Sequence, residues 1–446
     1  MMARNMDMTQ GPIMKRIVLF ALPICAGNIL QQLYNTVDTL VIGNFCGTQS
    51  LAAVGTSGQP VELLLCIFMG MGTGVSILVA QFTGSGNLAM TQKAVSTSIS
   101  FLYICAIPLS VLGVLLSPLI LGLMAVPEDV WEYCMSYLNI IFLGTLGNMG
   151  YNMNAGILRG LGNSRASLFF LLISCIVNVV LDLLFVAGFH MDVAGAALAT
   201  SIAMFCSWFF SIFYIKKMYP ELAFTWLPKH LDKSMMGQIL KIGLPLGLNN
   251  SIYSIGHILL QTLINTQGAV FIAACSVGSR LTGMANVAIN SFSSAATTFA
   301  GQNMGAKAYR RLHQGAKQIP FFSALFTAVA GLLLTIFCQP VLYLFTQEND
   351  VLAMATRYIQ IVMPFTWFFA AFSAMLSFAN GLGEVRYPTI VNILMLWVIR
   401  IPVAYLIGQW IGGTYIMACY PISFFCGMVG MLIFFLTPQW KRIPKQ

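Results

Sequence analysis

The chain reads as an all-α membrane protein of twelve transmembrane helices, in two six-helix bundles related by a pseudo-two-fold axis along the membrane normal. Three observations carry this reading. Of its 446 residues, 58% are hydrophobic and only 8% are charged, against about 25% charged in an ordinary soluble domain. Apolar runs of about 20 residues or more recur along it, each long enough to cross a hydrocarbon core of about 30 Å as a helix. The second half also repeats the first at a nearly constant offset, the mark of a duplicated unit.

The runs fall at residues 14–42, 51–81, 94–123, 132–157, 166–188, 193–216, 237–265, 271–300, 316–345, 354–379, 388–410 and 413–437. Lipid offers the backbone no hydrogen-bond partners, so each run satisfies itself internally as a helix; barrel strands would need only about 10 alternating residues. The first run is too long for a removable signal peptide and has no small-residue cleavage site, so it is expected to stay in the mature chain.

The duplication appears at a shift of 221 residues. LAA at 51–53 meets IAA at 272–274, Gln81 and Gly84 meet Gln302 and Gly305, and Tyr137 meets Tyr358. RGLGNSR at 159–165 meets NGLGEVR at 380–386, and Leu22-Pro23 meets Leu244-Pro245 with one residue of slip. Six spans per copy bring the second copy into the membrane in the same orientation as the first, which predicts a cleft between two like bundles. The domains expected are 1–216, a linker at 217–236, and 237–446.

The net charge of +9 could suit a nucleic acid, but its placement points to a membrane. Of the 22 Lys and Arg, 19 fall on alternate connections, among them Arg4, Lys93, Arg159, Arg165, Lys216, Lys217, Lys229, Lys307, Arg310, Arg311, Arg386, Lys441, Arg442 and Lys445. The positive-inside rule then puts both termini in the cytoplasm of a multi-pass protein of the plasma or inner membrane. Eleven cysteines, with no CxxC or His-paired spacing, read as small packing residues rather than disulfides or a zinc site. No Walker motif, GxSxG elbow or HExxH is present, so an enzyme is not expected. The glycines of MGMGTG at 69–74 read as a place of close helix contact.

The chemistry is expected where polar residues interrupt apolar spans. In the first, Asn28, Gln31, Gln32, Asn35, Asp38 and Thr39 share an arc of about 120° on a helix. Hydrogen bonding to neighbouring helices could explain the amides alone. Asp38 differs: a carboxylate in a span costs about 3 kcal/mol on insertion scales, which makes it a functional candidate. In the fifth span Ser174, Asn178 and Asp182 recur every four residues on one face. Asp38, Asp182, Thr200 and Tyr137 all fall at similar depth near the outer ends of their spans, so they can form one cation-coupling site with Asn178. Two carboxylates sharing a low-dielectric site need a cation, either H⁺ or Na⁺, and oxygens from Asp38, Asn178, Asp182 and Thr200 suit a hard ion such as Na⁺. A satisfied interhelical hydrogen bond is the plain alternative for Asp182 and Asn178.

Asn35, Gln31, Glu62, His257 and Arg280 are further candidates for coupling or substrate contact. Glu62 follows Pro60 and lies deeper. His257 also reads as a neutral packed histidine. Arg280 and Arg400 read as pairing with carbonyls or snorkelling, with substrate contact the lesser alternative. The second half has no acidic residue within a span, so any coupling carboxylate belongs to the first half. The 26 Met and 32 Phe could accommodate varied apolar ligands, though they also serve as ordinary lipid-facing and core material.

Taken together, ALPICAGNILQQLYNTVDTLVIG, LAAVG at 51–55, the Gln81 and Gly84 pair, RGLGNSR and NVVLDLLFVAG resemble multidrug and toxic compound extrusion (MATE) transporters over essentially the whole chain. The resemblance implies a V-shaped cavity between two bundles and export of organic cations or amphipathic drugs in exchange for H⁺ or Na⁺, with no other cofactor. It makes Asp38 and Asp182 the essential carboxylates, completed by Asn178, Thr200 and Tyr137. Another branch of the family carries acidic residues in the seventh and tenth helices, which here read NNSIYSIGHILLQ and FTWFFAAFSAML. The chain thus looks closer to the branch related to the DNA-damage-inducible efflux proteins, working as a monomer on small-molecule substrates. Two alternatives stand beside antiport. One is a flippase for lipid-linked saccharides, disfavoured because spans 1 to 6 have no arginine in their interiors. The other is a non-transporting scaffold or sensor, disfavoured by the short connections.

Overall fold

The computed structural model describes residues 5–124, 126–227, 231–343, 348–437, 440 and 444, and among these it contains helices and turns but no strand. The helices are α1 (Ile13–Phe45), α2 (Thr48–Gly84), α3 (Leu88–Leu123), α4 (Glu128–Leu143), α5 (Thr145–Gly160), α6 (Ser164–Asp182) and α7 (Asp192–Met218) in the first half. In the second half they are α8 (Lys233–Asn265), α9 (Ala269–Gly305), α10 (Tyr309–Ile336), α11 (Cys338–Leu342), α12 (Asn349–Val362), α13 (Thr366–Gly381), α14 (Arg386–Ile393), α15 (Ile401–Trp410) and α16 (Cys419–Phe434). Two π-helical segments interrupt them, Leu183–Gly188 after α6 and Leu394–Arg400 before α15. Arg4, Lys229, Lys441, Arg442 and Lys445, which the charge argument used, lie outside the described residues.

Among the described residues, ten helical segments are long and apolar enough to cross a membrane. Two of the twelve expected spans differ from that simple form. The fourth is broken at Gly144 into α4 and α5, and glycine is needed there because a Cβ would lie 2.3 Å from the Ser201 hydroxyl of α7. The seventh, α8, is a continuous 33-residue helix whose Lys233, Lys241, Asn249, Asn250, His257, Gln261 and Asn265 dilute its hydropathy.

The duplication is written into the backbone. Helices α2 and α9 have 37 residues each, and α1 and α8 have 33 each. Gly162 and Gly383 both take φ +89°, a left-handed turn that favours glycine. Asn163, the N-cap of α6, accepts a hydrogen bond from the amide of Ala166 at 3.0 Å, and its counterpart Glu384, just before α14, accepts from the Tyr387 amide at 3.4 Å. A Cβ on Gly160 would meet the Ser76 carbonyl at 2.6 Å, and one on Gly381 would meet the Thr297 carbonyl at 2.4 Å. The α2 and α9 pair, the glycine pairs and the Asn163 and Glu384 pair obey the shift of 221 read from the sequence, whereas α1 and α8 are offset by 220.

Two compact units emerge, and they are not the two sequence halves. One comprises residues 5–7 and 22–248, the other residues 8–21 and those from 249 on. The start of α1 belongs to the second unit. The Met8 amide donates to the Gln302 Oε1 (3.0 Å), Asn303 Nδ2 donates to the Met8 carbonyl (3.1 Å), and Arg311 donates to the carbonyls of Met8 (3.1 Å) and Gly11 (2.8 Å). The start of α8 belongs to the first unit, where α2 receives it through four glycines. A Cβ on Gly70 would lie 2.1 Å from the Gly247 nitrogen, and one on Gly74 would lie 2.7 Å from the Gly243 Cα. Such an approach excludes any side chain, as the MGMGTG segment suggested. Pro23 and Pro245 sit inside α1 and α8, near these handovers, where each removes a helix hydrogen bond.

In the first unit, Asp232 opens α8. Its carboxylate accepts the Met235 amide at 2.9 Å and lies 3.5 Å from Lys93 Nζ. The Met235 amide and Lys93 hold it below the ordinary carboxylate value of 3.8. A lowered folded value means that the stabilisation is complete above 3.8 and fades as pH falls through the folded value. Asp232→Ala should therefore speed hydrogen exchange at Met235 at neutral pH, with a small effect on overall stability, and the difference should vanish in acid.

Candidate functional site

Helix α1 is fixed at its C-terminal end by apolar packing. Val41 and Ile42, 7% and 0% exposed, cluster with Val186 of the π segment and Ala196 of α7, and Val37 packs against them. This holds the helix turn that carries Asp38 against the end of α6. The polar stripe of α1 splits accordingly. Asp38 is half-buried, whereas Gln31, Gln32, Asn35 and Thr39 are exposed, Thr39 donating to the Asn35 carbonyl at 2.8 Å.

The α6 face is as its spacing predicts. Ser174, Asn178 and Asp182 are all buried, Asp182 completely. The Asp182 carboxyl comes within hydrogen-bonding reach of the Asp38 carboxyl, and the rings of Tyr34 and Tyr137 stand in the same electrostatic neighbourhood. Asn178 Nδ2 donates to Thr200 Oγ1 of α7 at 3.3 Å, which leaves the amide oxygen pointing elsewhere. Among the described residues, Asp38 Oδ1, both Asp182 oxygens and Asn178 Oδ1 are buried with no hydrogen-bond donor. Four oxygen acceptors without donors are costly to bury. Their chemistry fits a proton shared between carboxyls or a hard cation held by carboxylate and amide oxygens. The π segment begins at the residue after Asp182, and such turns often mark functional positions.

Tyr34 is the member that the sequence argument missed. It lies one turn before Asp38, and that i, i+4 spacing was the available signal. Glu62 is exposed on α2, outside this cluster. In the second unit, Arg280 is exposed on α9 and His257 is exposed on α8, its ring 4.8 Å from that of Tyr253. Two readings of Arg400 do not hold, because it does not snorkel and, among the described residues, bonds no carbonyl. It is fully buried, its Nε donates to Ser423 Oγ at 2.9 Å and its Nη1 donates to the Tyr253 hydroxyl at 3.2 Å. Among the described residues, no three His, Cys, Asp or Glu side chains converge as a metal cluster.

Comparison with known proteins fits this geometry. Residues 23–184 and 245–406 each match the family model MatE. The chain is 27% identical over 438 residues to the probable multidrug resistance protein YpnP of Bacillus subtilis, covering 98% of each. It is 24% identical over 444 residues to the probable multidrug resistance protein NorM of Thermotoga maritima, covering 96% of this chain and 94% of that one. A crystal structure of MATE in complex with MaL6 superposes with a TM-score of 0.92 at 21% identity, covering 100% of both chains.

Proposed function

Because the chain belongs to the MatE family, and is therefore a multi-pass membrane transporter, we propose that it exports organic cations or amphipathic drugs in exchange for H⁺ or Na⁺. One observation carries the coupling: the buried, donorless oxygens of Asp38, Asn178 and Asp182. The names of its relatives as multidrug resistance proteins support the choice of cargo.

In this reading the transporter alternates between outward and inward access, with both termini in the cytoplasm. Asp38 and Asp182 take up a proton, or with Asn178 and Thr200 a Na⁺ ion, when the site is open to the outside. Neutralising the pair removes the repulsion between the carboxyls, so α1 repacks against α6 and the affinity for drug falls. Tyr34 and Tyr137 stand beside the carboxyl pair and keep bulk water from it. The ion can drive the cycle only through its different affinity for the two states.

The test is transport in reconstituted vesicles. With pH and Na⁺ gradients imposed separately, efflux of a fluorescent organic cation should follow at least one of them. Efflux indifferent to both would overturn antiport.

A further inference from the structure

The duplication gives the second unit a counterpart of the Asp38 and Asp182 cluster, and there the charge is reversed. The offsets between the copies put the counterpart of Asp38 at 258–260 in α8, within one turn of His257. The counterpart of Asp182 is Val403, within one turn of Arg400, and that of Tyr137 is Tyr358, which also lies in the electrostatic neighbourhood of Arg400. As with Asp182, a π segment abuts the charged residue, here ending at Arg400.

Arg400 is 0% exposed, and its guanidinium lacks any carboxylate partner among the described residues. The acidic residues of this unit, Glu348, Asp350 and Glu384, all stand outside the spans. Aromatic rings surround the charge instead, with Tyr420 at 4.9 Å, Phe424 at 5.1 Å and Tyr253 at 5.9 Å. Ring faces attract the cation but leave Nη2 without a hydrogen-bond partner among the described residues. A buried guanidinium in a membrane span is costly unless an acceptor completes it.

Around Arg400 the donors outnumber the acceptors among the described residues. Ser423 accepts from Arg400 and passes its own proton to the Tyr420 carbonyl at 2.9 Å, so it is used up. Tyr253 accepts from Arg400 Nη1 and keeps its hydroxyl proton to give. His257, its ring tilted 57° to that of Tyr253 at 4.8 Å, is exposed and carries a ring N–H. Donors from Arg400, Tyr253 and His257 gather here, beside apolar ring faces, without a matching acceptor. That is the chemistry of anion recognition.

We propose that Arg400, Tyr253 and His257 form a binding site for the carboxylate of an aromatic monoanion. The site is separate from the Asp38 and Asp182 cluster, and its occupancy is an equilibrium property that needs no ion gradient. The test uses the full chain in phosphatidylcholine nanodiscs, titrated calorimetrically with benzoate, and with benzylamine and chloride as ring-only and anion-only probes. Benzoate should bind saturably, and neither benzylamine nor chloride should displace it at equal concentration. Arg400→Gln should weaken benzoate at least tenfold. Tyr253→Phe and His257→Ala, which leave the buried charge in place, should each weaken it several-fold. No saturable benzoate binding, displacement by chloride alone, or unchanged affinity in Tyr253→Phe and His257→Ala would overturn the assignment. Since no gradient enters the assay, any of these results leaves the transport proposal standing.

Discussion

Asp182→Asn should abolish gradient-driven efflux while the protein still inserts and folds. The substitution keeps the shape of the side chain and removes its charge and its ability to hold a proton. It also places an amide donor against Asp38, which would lock the pair in one arrangement. Both carboxyl oxygens of Asp182 are buried and lack donors, so the new amide meets an acceptor rather than a clash. Coupled transport in vesicles should fall at least tenfold, equivalent to about 1.4 kcal/mol of lost driving interaction or more. Asp38→Asn should do the same from the other side of the pair. Undiminished gradient dependence in both variants would remove the carboxyl pair from the mechanism.

The second large effect is structural. Gly70→Ala should destabilise the protein by about 3 kcal/mol, because overpacking of a tight contact costs about 1–3 kcal/mol and here the obstacle is backbone. The new methyl would lie 2.1 Å from the Gly247 nitrogen, so α2 and the start of α8 must separate. Gly58→Ala, in the same helix with nothing within 4 Å of the added carbon, is the control. It should be neutral or stabilising by up to about 1 kcal/mol, from helix propensity alone. Thermal unfolding of the two purified variants separates the cases. Equal melting temperatures would mean that the glycine contact is not tight in solution.

Much of this was legible in the chain itself because lipid simplifies the code. Helices in a bilayer announce themselves by length, and a buried Asp182 stands out against Leu and Val. The spacing of Ser174, Asn178 and Asp182 gave their common face before any coordinates. The pairing of Arg159–Arg165 with 380–386 gave the repeat, and the matched left-handed turns at Gly162 and Gly383 are its backbone form. What the sequence concealed depends on contacts between distant elements. Tyr34 looked like one more aromatic residue in an apolar run until Asp182 and Tyr137 were placed beside it. Exposure of Gln31, Asn35 and Glu62 depends on which helices pack there, and periodicity alone does not specify that. The need for glycine at Gly144 follows from the nearness of Ser201, nearly sixty residues on. Arg400 was misread because the rings that receive it, Tyr253, Tyr420 and Phe424, come from helices on either side of it in sequence.

The exchanged starts of α1 and α8 bear on how such a chain can be taken apart. A protease nick or a split gene at the linker would leave each fragment carrying the opening of a helix that its own core does not use, and missing the one that it does. Neither fragment alone contains a complete set of packing surfaces. Purified separately, the two should be insoluble or loosely folded, and activity should return only when both are made together in one membrane.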